Sequence, residues 1–229
     1  MYPELLGGAF EGDIILNSEQ LAELTERNAI SSKYFWPDGI ITYRISDGFN
    51  KTQREQIQLA IDHIEERSCV LFILNQEAGE LLIKVYFIQP FQMLLYKIIV
   101  NCNFLLKKHK NSCFSTIGHS NNTNIGLAEG CFRPGTIVHE LLHTLGMYHM
   151  QSSIHRDEWI TILWGNIIEN RKLNFQKHDT LCYGLDYDYG SVMHYPLKSF
   201  SKNGKNTMKN LKYVSMRSIF NNSLYENMK

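Results

Sequence analysis

Residues 139–149 read His-Glu-Leu-Leu-His-Thr-Leu-Gly-Met-Tyr-His. His139 and His143 are four apart, so on a helix both imidazoles leave the same face. Glu140 stands one residue along, within reach of a water held by a metal between them. Gly146 accounts for the next step: without a Cβ it can take φ > 0, end the helix and turn the chain so that His149 points back at the same ion. Three neutral imidazoles leave a fourth position for water, the arrangement of a catalytic rather than a structural zinc site. With nine His in 229 residues, a chance match to the whole H-E-x-x-H-x-x-G-x-x-H pattern is on the order of 6 in 100,000, so the pattern is read as a site.

Working outward, Ser191-Val192-Met193-His194-Tyr195 follows Tyr187-Asp188-Tyr189-Gly190, and near the start stands Phe10-Glu11-Gly12-Asp13-Ile14. Asn28-Ala29-Ile30 and Trp36-Pro37 complete the set. Together with the His motif, these segments resemble the astacin family of zinc metalloendopeptidases, a branch of the metzincins, in its proenzyme form. The resemblance spans roughly residues 2–75 and 113–207. It implies an α+β, two-lobed catalytic domain. The N-terminal lobe would hold a mixed sheet and two helices, one of them the zinc helix, and the C-terminal lobe would be mostly irregular with a Met-containing turn beneath the metal. It further implies one Zn2+ per chain held by His139, His143 and His149, with Glu140 as general base. Tyr195 would be an additional ligand able to swing to the oxyanion, Met193 a support under the site, and Asp13 a switch that ligates the zinc in place of water. The family's disulfide pattern implies a Cys113–Cys131 bridge.

Charge divides the chain. Residues 1–27 carry six acids and one base, Arg27, for a net −5, which leaves +5 over residues 28–229 because the whole chain is neutral. Residues 1–27 therefore read as an acidic propeptide that inhibits residues 28–229 until a trypsin-like protease cuts after Arg27; a solvated acidic arm is the plain alternative. Overall neutrality removes the electrostatic reason to expect nucleic acid. Lys84, Pro90 and Lys97 break the most apolar stretch below the roughly 18 residues of a membrane span.

Residues 39–45 alternate as a strand with Ile41, Tyr43 and Ile45 on one face. Thr52 and Glu55 suggest a capping box for an amphipathic helix over 52–67, with a buried strand over 69–74 and a polar turn at 121–124. Five cysteines without a C-x-x-C pair favour disulfides with one thiol left over. Triplets at Asn50, Asn121 and Asn221 would permit glycosylation of a secreted chain.

Departures from the family pattern are specific. Met150 follows the third His where the family has Glu to anchor the freed N-terminus, and a thioether cannot pair with an ammonium group. Ser153 and His155 stand where an Arg and an Asp are usual, whereas Arg156 and Asp157 match. Residues 81–110 have no recognised counterpart and read as a sheet excursion, a partner surface or sequence foreign to the mature protein. The family partner of Cys69 near the C-terminus is missing, so the C-terminus reads as incomplete, and Cys69 is free or paired with Cys102 or Cys182. The expectation is a secreted, extracellular zinc endopeptidase made as a zymogen and acting on protein or peptide substrates. The rival is an inactive family member that serves as a binding or structural domain.

Overall fold

A computed structural model describes residues 9–27, 34–75, 80–86, 95–101, 104–120, 122–178 and 186–212. In chain order these form β1 (Ile14–Ile15), α1 (Ser18–Arg27), β2 (Ile40–Ile45), α2 (Lys51–Glu65), β3 (Leu71–Leu74) and β4 (Glu80–Tyr86). Next come β5 (Leu95–Asn101), β6 (Phe104–Lys108), β7 (Phe114–Thr116), β8 (Thr123–Leu127), α3 (Pro134–Thr144), β9 (Ile160–Ile162) and β10 (Met208–Asn210). A six-stranded sheet runs β1-β7-β8-β6-β2-β3. Of its pairings only β7–β8 is antiparallel, so the sheet is mixed, as expected.

The sheet's core follows from two periodicities. Ile41, Tyr43 and Ile45 recur every second residue along β2, and Ile57, Ala60, Ile61 and Ile64 recur at helical spacing along α2; all are buried in one cluster with Phe104, Leu106, Ile125 and Leu141. α2 begins earlier than Thr52. Its N-cap is Asn50, whose side chain accepts from the Gln53 amide at 2.9 Å while the Gln53 side chain accepts from the Asn50 amide at 3.0 Å. Thr52 and Glu55 had the right residue types, but the Asn50–Gln53 pair satisfies the same orphan donors one half-turn sooner.

Three further expectations change. The 69–74 segment forms β3 at the sheet edge, where Phe72 is buried but Leu71 and Leu74 are 42% and 48% exposed. A short apolar run does not distinguish an edge strand from a central one. Residues 104–108, assigned to the unmatched 81–110 stretch, are β6, a central strand that pairs Tyr43↔Phe104 with β2 and Leu106↔Ile125 with β8. The excursion itself is an antiparallel β4–β5 hairpin with Ile83 opposite Ile98. The polar turn is also shorter than expected, since Thr123 and Asn124 already belong to β8.

Below the sheet the chain is built from short 3-10 turns and the β9–β10 pair, around Phe175, Tyr187, Tyr195 and Met208. Cys113 and Cys131 are bridged, with Cα atoms 5.9 Å apart, which ties β7 to the approach of α3. Cys69 is a free, exposed thiol. Cys102, Cys182, Asn28-Ala29-Ile30, Asn121, Asn221 and the chain after residue 212 lie outside the described residues. Among the described residues no helix is long and apolar enough to cross a membrane.

The acidic N-terminal segment is folded onto this body. β1 extends the sheet in parallel beside β7, with Ile14 opposite Ser115. α1 starts with its own reciprocal cap, Asn17 Oδ1 accepting from the Gln20 amide at 2.8 Å and Gln20 Oε1 from the Asn17 amide at 3.0 Å. The same Gln20 donates Nε2 to the Ile117 carbonyl at 2.8 Å, and Leu24 packs with Ile14, Ile117 and Tyr148.

Candidate metal centre

α3 carries His139, Glu140 and His143, all buried. It is seated from both sides: the Trp36 indole donates to the Thr144 carbonyl at 2.8 Å, and the Thr144 hydroxyl meets Ser115 Oγ at 2.8 Å. The helix ends in a Schellman motif, the Met147 amide reaching the Leu142 carbonyl at 3.0 Å and the Gly146 amide the His143 carbonyl at 2.8 Å. Gly146 has φ +99°, outside the range that L side chains ordinarily adopt. Beyond it the chain reverses and brings His149 to the other two rings.

Replacing Gly146 by Ala tests this turn. The nearest atoms to the new Cβ would be Phe35 ring carbons at 3.9 Å, ordinary contact, so the cost is conformational and about 1–3 kcal/mol. Urea unfolding should show that loss and chelator competition a weaker hold on metal, because His149 is displaced; a variant unchanged in both would show that the positive φ is dispensable.

The three Nε2 atoms converge, His139 lying 3.1 Å from His143 and 3.2 Å from His149. The Asp13 carboxylate completes the group at 3.2 Å from His139, 3.4 Å from His149 and 3.6 Å from His143. A tetrahedral zinc ion with bonds near 2.0–2.1 Å separates its ligand atoms by about 3.3–3.4 Å. The four donors match such corners.

The positions of the protons point the same way. His139 Nδ1 faces the Val192 carbonyl at 2.9 Å and His143 Nδ1 the Met147 carbonyl at 2.6 Å. Carbonyls only accept, so these Nδ1 atoms carry protons, and in the neutral form that a metal ligand takes each ring presents a bare lone pair at Nε2. Buried lone pairs aimed at one another and at a carboxylate repel unless a cation lies between them.

The turn beneath is equally well fixed. The His194 amide donates to the Ser191 carbonyl at 3.0 Å, closing a turn whose Val192 carbonyl orients His139 and whose Met193 carbonyl accepts from the Met150 amide at 2.9 Å. Met193 is buried. The Tyr195 ring lies 4.5 Å from His149, and its hydroxyl donates to the Glu11 backbone carbonyl. Burial, reinforced by Glu11 and Asp13, pushes the Tyr195 hydroxyl well above its ordinary value, so it keeps its proton and acts as a donor.

The residue pattern of the astacin peptidase family matches residues 28–89 and 99–222. The chain belongs to the astacin family. It is 35% identical over 218 residues to seminal metalloprotease 1 of Drosophila melanogaster, covering 90% of this chain and 77% of that protein. It is 32% identical over 186 residues to zinc metalloproteinase nas-15 of Caenorhabditis elegans, covering 79% of this chain but only 29% of that one. Among solved structures, high choriolytic enzyme 1, a hatching enzyme zinc-protease from medaka (Oryzias latipes), superposes with a TM-score of 0.64 at 25% identity, over 87% of this chain and 98% of that one. Astacin membership makes the chain a zinc metalloendopeptidase, with one zinc ion as the cofactor that the His cluster fits. Within the hairpin stretch, the astacin pattern omits only residues 90–98.

Four participants had no signal of their own in the sequence. Glu11 was one acid among six, yet it is fully buried. Burial pushes its carboxyl up, but His149 and His178 more than offset this and bring it down to about 2. Gln151 accepts the Tyr195 amide at 3.1 Å, and its carbonyl takes the buried Arg156 guanidinium at 2.7 Å. Ser152 and His178 complete the set; only Glu11, two residues before Asp13, stood in a segment that pointed here.

Proposed function

We propose that this astacin is a secreted zymogen in which residues 1–27 are an inhibitory propeptide and Asp13 is its switch. After a trypsin-like cut at Arg27 it would hydrolyse peptide bonds in protein or peptide substrates. The observation that carries this reading is the placing of the Asp13 carboxylate 3.2–3.6 Å from all three imidazole nitrogens, at the corner a water would need. Secretion is supported by the Cys113–Cys131 bridge, since disulfides persist in oxidising compartments.

His139, His143 and His149 would hold the metal, each by Nε2. Zinc, when bound, acidifies water toward pH 7 and polarises the scissile carbonyl. Glu140 takes the proton of the attacking water and hands it to the leaving amine nitrogen. Tyr195, whose hydroxyl donates to the Glu11 carbonyl in the uncut chain, would be freed when residues 9–16 leave and could then serve as a further metal ligand or donate to the oxyanion of the substrate. Met193 supports the floor of the site.

The deciding experiment follows a mixed peptide library with the uncut chain, the chain trimmed at Arg27, and the trimmed chain stripped by a chelator and resupplied with zinc. Cleavage should appear on trimming, vanish with the chelator and return with zinc. A folded, zinc-loaded, trimmed chain that cuts nothing would favour the inactive binding domain, for which Met150 in place of the usual Glu is the motive.

A further inference from the structure

Two carboxylates of the N-terminal arm grip one imidazole from opposite edges. Asp13 Oδ1 lies 3.4 Å from His149 Nε2, and Glu11 Oε2 lies 2.8 Å from His149 Nδ1. The backbone makes this possible: Glu11 at φ +49° and Gly12 at φ +97° reverse the chain so tightly that side chains two apart reach the two nitrogens of a single ring. The other Glu11 oxygen accepts from the Ser152 hydroxyl and lies 3.2 Å from His178 Nε2. Ser152 and His178 are themselves joined, the His178 amide donating to the Ser152 carbonyl at 2.7 Å. Three polar side chains, each at most 2% exposed, therefore surround one fully buried carboxylate.

His149 differs in this from its companions. His139 and His143 take their Nδ1 acceptors from Val192 and Met147 of the main body, whereas His149 takes its acceptor from the arm. An acceptor at that nitrogen fixes the tautomer, orients the ring and makes the opposite nitrogen a better ligand. Met150, next along the chain, has no oxygen in its side chain to offer in its place.

We infer that Ser152, His178 and His149 form a carboxylate-binding site, that Glu11 fills it as a positioning residue for the zinc ligand His149, and that the arm therefore tightens the metal centre it blocks. This rests on the reading of residues 1–27 as an arm docked on the zinc, and deepens it. Removal of the arm withdraws the His149 acceptor together with Asp13, so activation and weaker zinc retention are two results of one event.

The test is chelator competition for zinc on the full chain, comparing wild type, Glu11→Gln, Asp13→Ala and the double variant, with circular dichroism to confirm the fold. Glu11→Gln is nearly isosteric but sets an amide N–H2 against donors; it should lower zinc affinity about 10-fold or more, and do so in the Asp13→Ala background as well. Equal affinities of Asp13→Ala and the double variant would mean that Glu11 merely seats Asp13, and would overturn the inference. Cobalt(II) in place of zinc supplies a second readout that needs no affinity: the visible bands of Glu11→Gln should shift, and unshifted bands would count against an effect on the ligand field. Latency is read separately, from activity of uncut Asp13→Ala, so either claim can fail alone.

Discussion

Glu140→Gln in the arm-trimmed chain is expected to keep one zinc per chain and to lose peptide hydrolysis by roughly a hundred- to ten-thousand-fold. Among the described residues, the buried donor atoms that cluster are those of Asp13, His139, His143 and His149, so Glu140 is not needed to hold the ion. Its place on α3 is nonetheless beside them, fully buried on the helix that supplies two of the imidazoles. An amide of the same shape leaves packing and ligands intact but has no basic site for the proton of the attacking water. Steady-state kcat/KM with zinc measured on the same sample decides the matter. Stoichiometric zinc with undiminished turnover would remove Glu140 from the chemistry.

Asp13→Ala should act in the opposite direction and on the uncut chain. A charge-assisted buried contact contributes about 1.5–3 kcal/mol, so its removal should raise activity before any cut by roughly 10- to 100-fold. The gain should stay below that of the trimmed form, because β1 and α1 still hold residues 9–27 on the body. Peptide cleavage before and after trimming gives both values. Uncut Asp13→Ala as silent as wild type, with the trimmed form fully active, would place the block in the bulk of the arm instead of the switch.

What could be read from sequence divides along a physical line. The zinc helix and its exit were legible because a period of 3.6 and a glycine at a forced positive φ leave one arrangement of three imidazoles. Ile41, Tyr43, Ile57 and Ile61 were legible because each repeats with its own element's period. β6 was not: Phe104, Leu105 and Leu106 follow the hairpin's apolar run after only Asn101, Cys102 and Asn103, and a central strand between two parallel neighbours need show no alternation in its sequence to set it apart. The start of α2 was misplaced because Thr52 and Asn50 offer equivalent cap chemistry, and only the fold selects between them. Ser152 and His178 carry no mutual spacing; they meet because the His178 amide donates to the Ser152 carbonyl and joins separate turns of the lower lobe.

The arm's helix α1 ends at Arg27, so a cut there severs the chain without touching any contact that holds residues 9–24 in place. What changes is molecularity. On the proposed reading the arm would act before the cut at the millimolar effective concentration of a short tether, and afterwards only at the concentration of free arm in solution. The cut would then raise activity only as the trimmed arm leaves. Dilution would complete the activation, and a crowded compartment that retains the released arm would keep the enzyme partly shut.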